Sequence, residues 1–167
     1  SGGTNGPDAK HLFVTDHPLV TGTESNLLAA AADLSVTSLQ DLIELMEETT
    51  DDRGIQLMLK PTKLVVPLGE QWTARELLDS VDKPYTSNNE INALRDKDLR
   101  YFVYHYMTDA DAWFIQAEEH YLNFIWRRRP RTSSDDDFTT GDMLYKGDMR
   151  FSHGYSGWRG VAGTPGA

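Results

Sequence analysis

Lys63-Leu64-Val65-Val66-Pro67 is followed, after four residues, by Trp72-Thr73-Ala74-Arg75-Glu76-Leu77-Leu78. The first stretch is a short apolar run closed by a proline, which reads as a buried strand. In the second, Thr73 and Glu76 have the spacing of a capping box, so a helix is expected to open at Thr73. Leu77, Leu78 and Val81 supply its apolar face, and Pro84 closes the segment. A strand handing over to a short amphipathic helix is the unit from which the rest of the chain is read.

Upstream, a stronger helix is expected over Ser38–Thr49. Thr37 and Gln40 stand at capping-box spacing, and Leu39, Leu42, Ile43 and Met46 fall on one face. Asp51-Asp52-Arg53-Gly54 ends it, Gly54 being suited to a left-handed turn. Leu12-Phe13-Val14 is expected as a short strand before a turn at Asp16-His17-Pro18, and residues 1–11 as a flexible lead. Ile55–Leu59 alternates in the manner of a strand, and Asn89–Arg95 is expected to add a brief third helix. Downstream, Arg100–Tyr106, Ala112–Gln116, Tyr121–Trp126, Met143–Tyr145 and Met149–Tyr155 read as strands, being dense in aromatic and β-branched residues. Helices come early and strands late, without a regular βαβ alternation. The fold class is therefore α+β, a central mixed sheet flanked by short helices.

Composition narrows the function. With 167 residues the chain fits one domain, and 39% apolar residues are ordinary for a packed core. There is no cysteine, which excludes a disulfide framework, thiolate metal sites and a cysteine nucleophile. No apolar run approaches the ~18 residues needed to cross a bilayer, so no membrane partner is expected. The opening residues carry neither an initiator methionine nor a secretion signal, so Ser1 is expected to be a processed end, an engineered scar or the start of a fragment. The net charge is −10: residues 1–90 hold 6 basic against 15 acidic side chains, and residues 91–167 hold 10 against 11. Phosphate backbones are held mainly by lysine and arginine, so specific nucleic-acid binding is not expected.

No catalytic signature emerges. Asp135, Asp136, Asp137 and Asp142 lack the alternate acids, mid-loop glycine and closing glutamate of a calcium loop, and read as a solvated turn. His11, His17, His105, His120 and His153 are scattered without metal-site spacing. No serine stands in a Gly-x-Ser-x-Gly elbow, and the glycine-rich Ser152–Gly157 lacks the lysine of a phosphate loop. No cofactor is expected, and the chain is expected not to be an enzyme. The one basic, aromatic run is Trp126-Arg127-Arg128-Arg129-Pro130-Arg131. A reversal at Thr132-Ser133-Ser134 would set Arg131 opposite Asp135 and Arg129 opposite Asp137. Alternatively the loop projects, and Arg127, Arg128, Arg129 and Arg131 meet acids of a neighbouring subunit, with Asp135, Asp136 and Asp137 close by. Both arrangements remain open at this point.

Several of these pieces, taken in order, resemble a known family. Lys63–Pro67 with Trp72–Leu78 is similar to the strand-then-helix passage of tailed-phage major capsid proteins. Asn89–Leu94, Thr108–Phe114, Asp137–Asp142, Tyr145-Lys146 and Arg150–Val161 fit the same pattern, as do Thr15–Leu19 and Asp52-Arg53-Gly54. The resemblance runs from about residue 12 to the end. It implies a phage-capsid-like fold, with residues 12–120 as the axial domain at the capsomer centre and 121–167 as strands returning to the peripheral domain. It further implies a structural subunit of an icosahedral virion capsid, assembled in the host bacterial cytoplasm and enclosing DNA. Its partners would be copies of itself, with scaffolding or other head proteins. The family's spine helix, extended loop and N-terminal arm are not visible here, so these residues alone are expected to be monomeric or weakly associated and not to close a shell. The alternatives are an encapsulin-type nanocompartment shell and, from another class, a small metal-dependent hydrolase with a dispersed Asp/His site.

Overall fold

The computed structural model describes residues 5–20, 22–84 and 90–167. In chain order the elements are β1 (His17–Leu19), β2 (Gly22–Glu24), α1 (Val36–Glu47), β3 (Pro61–Val66), α2 (Gln71–Asp79), a 3-10 turn (Arg95–Lys97), β4 (Arg100–Val103), β5 (Trp113–Ala117), β6 (Leu122–Asp136), β7 (Met143–Tyr155) and β8 (Val161–Thr164). They divide into two compact units. One holds the residues up to Tyr121 together with Gly157–Ala167, and the other is Leu122–Ser156.

The first unit is built on a four-stranded mixed sheet in the order β4-β3-β5-β8. β3 pairs parallel with β4 and antiparallel with β5, which pairs antiparallel with β8. Strand alternation puts Leu64, Val66, Trp113 and Ile115 on one face, all fully buried. There they join Leu39, Leu42, Ile43 and Met46 of α1 and Ala74, Leu77 and Leu78 of α2 in a single core. The expected apolar face of α1 is therefore the buried one. On the reverse face Phe114 lies 4.7 Å from the Phe13 ring. Gly163 is its cross-strand partner, and a Cβ there would meet the Phe114 ring at 2.2 Å. That strand position accepts only glycine.

Both helix starts differ from expectation. α1 is capped by Ser35, not Thr37: the Ser35 hydroxyl accepts from the Ser38 N–H, and Ser38 Oγ accepts from the Ser35 N–H at 2.9 Å. Ser38 also donates to Asp33 O at 2.7 Å, so one hydroxyl fills the part that Gln40 was expected to play. α2 opens two residues before Thr73, after a turn in which Glu70 N–H donates to Pro67 O, and no side chain caps it. Thr73 is thus inside the helix. Ser35→Ala is expected to cost about 1 kcal/mol, whereas Thr37→Ala and Thr73→Ala should stay within about 0.5 kcal/mol of the parent. Chemical denaturation of the three variants checks this, and a larger loss at Thr37 than at Ser35 would contradict it.

Three further segments are corrected. Leu12-Phe13-Val14 is not a strand, because the buried Asn26 amide binds its backbone, donating to Leu12 O and accepting from Val14 N–H. The strand lies instead at His17–Leu19, where a turn was expected. Ile55–Leu59 keeps only a bridge between Thr50 and Gln56, since Asp51 Oδ1 gathers the Arg53 and Ile55 N–H groups and Met58 takes φ +52. A positive φ breaks an extended run. Gly54, at φ +81, does make the left-handed turn. Of the expected third helix, Asn89 lies outside the described residues. Asn92 is buried and donates to Leu77 O and Ser80 O at the end of α2, leaving only a 3-10 turn from Arg95.

The end of the chain is tied into this unit. His17, fully buried, stacks on Trp158 at 4.2 Å and meets Asp8 through Nδ1 at 2.7 Å. Burial is the strongest single influence on Asp8 and opposes its ionisation, but the hydrogen bonds with His17 and the Lys10 N–H, with the electrostatic pull of His17, together hold that carboxyl below its ordinary range. Arg159 lies over Trp158 and donates to Thr50 O at 2.9 Å and to Asp52 at 2.8 Å.

Candidate assembly surface

The second unit is one long antiparallel hairpin, with Leu122 opposite Tyr155 at one end and Asp136 opposite Met143 at the other. Every residue of β6 is exposed, and in β7 only Asp148 and Tyr155 are half-buried. Two strands wetted on both sides are marginal in water. This hairpin is nonetheless rich in large apolar side chains.

Strand alternation sorts them. Leu122, Phe124 and Trp126 recur at every second position and share a face with Phe151, the cross-strand partner of Trp126. Phe124 stacks on Phe151 at 5.3 Å, and Trp126 meets both rings edge-on at 5.0 and 5.7 Å. Ring packing holds the face in shape. Even so, Phe124 is 55% and Phe151 48% exposed. Aromatic residues left in water beside one another mark surfaces that bury themselves against something.

The opposite face is ionic. Arg128 pairs with Asp148, and Arg131 donates to the other Asp148 oxygen at 2.8 Å. Arg128 stands directly opposite Arg150, a like-charge pair that Asp148 offsets. The hydrogen bonds from Arg128 and then Arg131 push the Asp148 carboxyl down to about 2. A folded value below the ordinary 3.8 means that this contribution is complete above about pH 4 and is lost as pH falls toward 2. NMR titration of the Asp148 carboxyl should show a midpoint near 2. A midpoint near 4 would mean that the arginines do not hold it.

This register replaces the expected one. Thr132, Ser133 and Ser134 lie within β6, where threonine and serine pair across to Gly147, Lys146 and Tyr145. The reversal falls at Asp137–Asp142: Asp137 accepts from Thr139 N–H and its hydroxyl, and Gly141 takes φ +74. Those Thr139 hydrogen bonds lower the Asp137 carboxyl. Consequently Asp135 lies opposite Leu144, and neither the Arg131–Asp135 nor the Arg129–Asp137 pair forms. Asp148 was the missed partner. Its two-residue offset from Arg150 was the available signal, but the ladder has register shifts between Trp126 and Arg128 and between Arg128 and Arg131. Arg127 and Arg129 sit at those irregularities, and bulges re-aim side chains unpredictably from sequence.

Among the described residues there is no group of three or more His, Asp or Glu placed to hold a metal ion, and no helix long and apolar enough to cross a membrane. A mixed sheet with two helices on one face, together with a long hairpin exposing packed aromatics, describes a protein whose chemistry lies in its surfaces. A family model described as phage capsid protein matches residues 1–163, and the chain belongs to that family. The family is a structural one, and its members are constituents of the virion. The mixed α+β architecture is compatible with a phage-capsid fold. No curated protein matches the chain.

Proposed function

We propose that the chain is a major capsid subunit of a tailed phage, self-assembling into the capsomers of an icosahedral shell that encloses DNA. On this reading the residues from 12 to about 120 form the axial domain. The two hairpin strands after 121 belong to the peripheral domain, where Arg127, Arg128, Arg129 and Arg131 with Asp135, Asp136 and Asp137 lie at or near subunit contacts, and β8 returns to pair with β5 in the axial sheet. Assembly takes place in the host bacterial cytoplasm, with scaffolding or other head proteins as further partners. The subunit works without catalysis or cofactor.

The observation that carries the reading is the hairpin. A capsid family supplies the class, and Phe124, Trp126 and Phe151 supply the kind of surface that a shell subunit buries and a solitary protein avoids. Nothing favours the nanocompartment or hydrolase alternatives. Quantitative mass spectrometry of purified phage particles tests the proposal: this polypeptide is expected among the most abundant components of the particle. Its presence in the lysate but not in particles would overturn the reading. Stoichiometric zinc or calcium in the purified protein would point to the hydrolase.

A further inference from the structure

We propose that the arginine-rich stem of the hairpin docks on the acidic outer side of α1 in a second copy of this chain. The proposal rests on the self-associating reading above and adds which two surfaces meet. Charge separates the halves of the contact. Residues 122–131 and 147–156 hold five arginines against one aspartate, a net of +4. Over the whole hairpin unit six bases face five acids, a net of +1, so the remainder of the −10 chain carries −11. Arg128 and Arg131 share Asp148, and Arg127, Arg129 and Arg150 make no ion pair among the described residues. An uncompensated cationic stem on an otherwise strongly anionic chain is complementary to that same chain.

Acids gather along the exposed side of α1, where a groove opens. α1 and its C-cap present Asp41, Glu44, Glu47 and Glu48 and no basic residue. Glu47 is paired with Lys97, whereas Glu44 and Glu48 have no ion-pair partner among the described residues. Together they rim a groove that also contains Met58, 86% exposed, and Lys60. Glu44 and Glu48 are one helical turn apart, about 6 Å along the axis. Arg127 and Arg129 are two residues apart at the register shifts of the ladder, so at most about 7 Å of chain separates them. Two long guanidinium side chains there are within reach of two carboxylates so spaced and opposite to them in charge. The apolar stems of the arginines have Met58 to lie against.

Because stem and groove are different surfaces, the contact is heterologous: each copy gives its stem to one neighbour and its groove to another. Contacts of this kind propagate into rings when the rotation closes. Nucleic acid is the disfavoured occupant, since a chain of net −10 repels phosphate backbones.

The absence of cysteine gives a clean test. Pro130→Cys marks the stem and Gln56→Cys the groove, both at exposed positions and with every charge retained. Each full chain is first confirmed to melt like the parent. Under mild oxidation, mixing the two variants is expected to give several-fold more disulfide-linked dimer than either alone. Arg127→Glu with Arg129→Glu should abolish the excess, and adding Glu44→Arg with Glu48→Arg on the groove partner should restore it. If the Pro130→Cys variant alone dimerises as well as the mixture, stem meets stem and the proposal is wrong. If the mixture sediments above one chain's mass without excess dimer, the self-associating reading stands and this contact falls. Sedimentation of the full-length protein as a single chain at every concentration removes both. Salt-sensitive retention of duplex DNA, lost in the Arg127/Arg129 variant and without cross-linking, would assign the stem to nucleic acid.

Discussion

Trp113→Ala is expected to destabilise the sheet-and-helix unit by about 3 to 5 kcal/mol, the cost of emptying a large buried aromatic site. Trp113 is fully buried in the cluster that joins both helices to the sheet. Its indole N–H donates to Ala32 O at 3.1 Å, so the same side chain pins the segment leading into α1. Alanine leaves a cavity between rigid elements and orphans that carbonyl, and neither a helix nor a paired strand collapses easily into the gap. For a chain of this size the loss lowers the melting temperature by about 6 to 20 °C. Trp113→Phe, which keeps most of the volume and loses only the hydrogen bond, should cost about 1 to 2 kcal/mol. Thermal unfolding followed by circular dichroism checks both. An alanine variant that melts with the parent would mean that Trp113 is not the keystone of this core.

The second large effect is on association. Phe124→Ser together with Phe151→Ser removes the stacked pair from the exposed face while leaving the ladder between β6 and β7 in place. Central aromatic anchors are typically worth about 2 kcal/mol or more at an interface, which is roughly thirtyfold in affinity. Self-association of the double variant is therefore expected to weaken by at least that factor. Its melting transition should stay close to the parent's, because neither ring belongs to the buried cluster of the sheet-and-helix unit. Light scattering against concentration, read beside the melting curve, separates the two. Unchanged association would show that this face is not buried in the assembly.

The parts of the fold legible in the sequence are those in which one pattern has no rival. Leu39, Leu42, Ile43 and Met46 repeat with a helical period and have no competing assignment, and all four are buried. Leu64-Val65-Val66 and Trp113–Gln116 are short apolar runs that can serve only as interior strands of the sheet. Where hydroxyl and amide side chains compete for the same backbone groups, the sequence offers several solutions. Ser35, Thr37 and Ser38 all have N-cap chemistry, and the pair that also reaches Asp33 O prevails. Asn26 and Asn92 satisfy backbone groups 12 to 15 residues away, which no local pattern encodes.

The hairpin was only half legible for a different reason. Alternating Leu122, Phe124 and Trp126 announce a strand, but Thr132-Ser133-Ser134 reads equally as turn and as strand. What decides is farther along, where Asp137, Thr139 and Gly141 build a tighter reversal. Moving the turn by a few residues changes every cross-strand partner, which is why Arg131 meets Asp148 and not Asp135. The arginines themselves stood out as charge; their partner depended on register.

Electron microscopy of the full-length protein, purified from an expressing cell, shows whether this chain is a subunit that builds a shell. Closed, hollow particles of uniform size, absent when Phe124 and Phe151 are both serine, are the predicted result. Dispersed single chains at every concentration, with the parent and the variant indistinguishable, would contradict it.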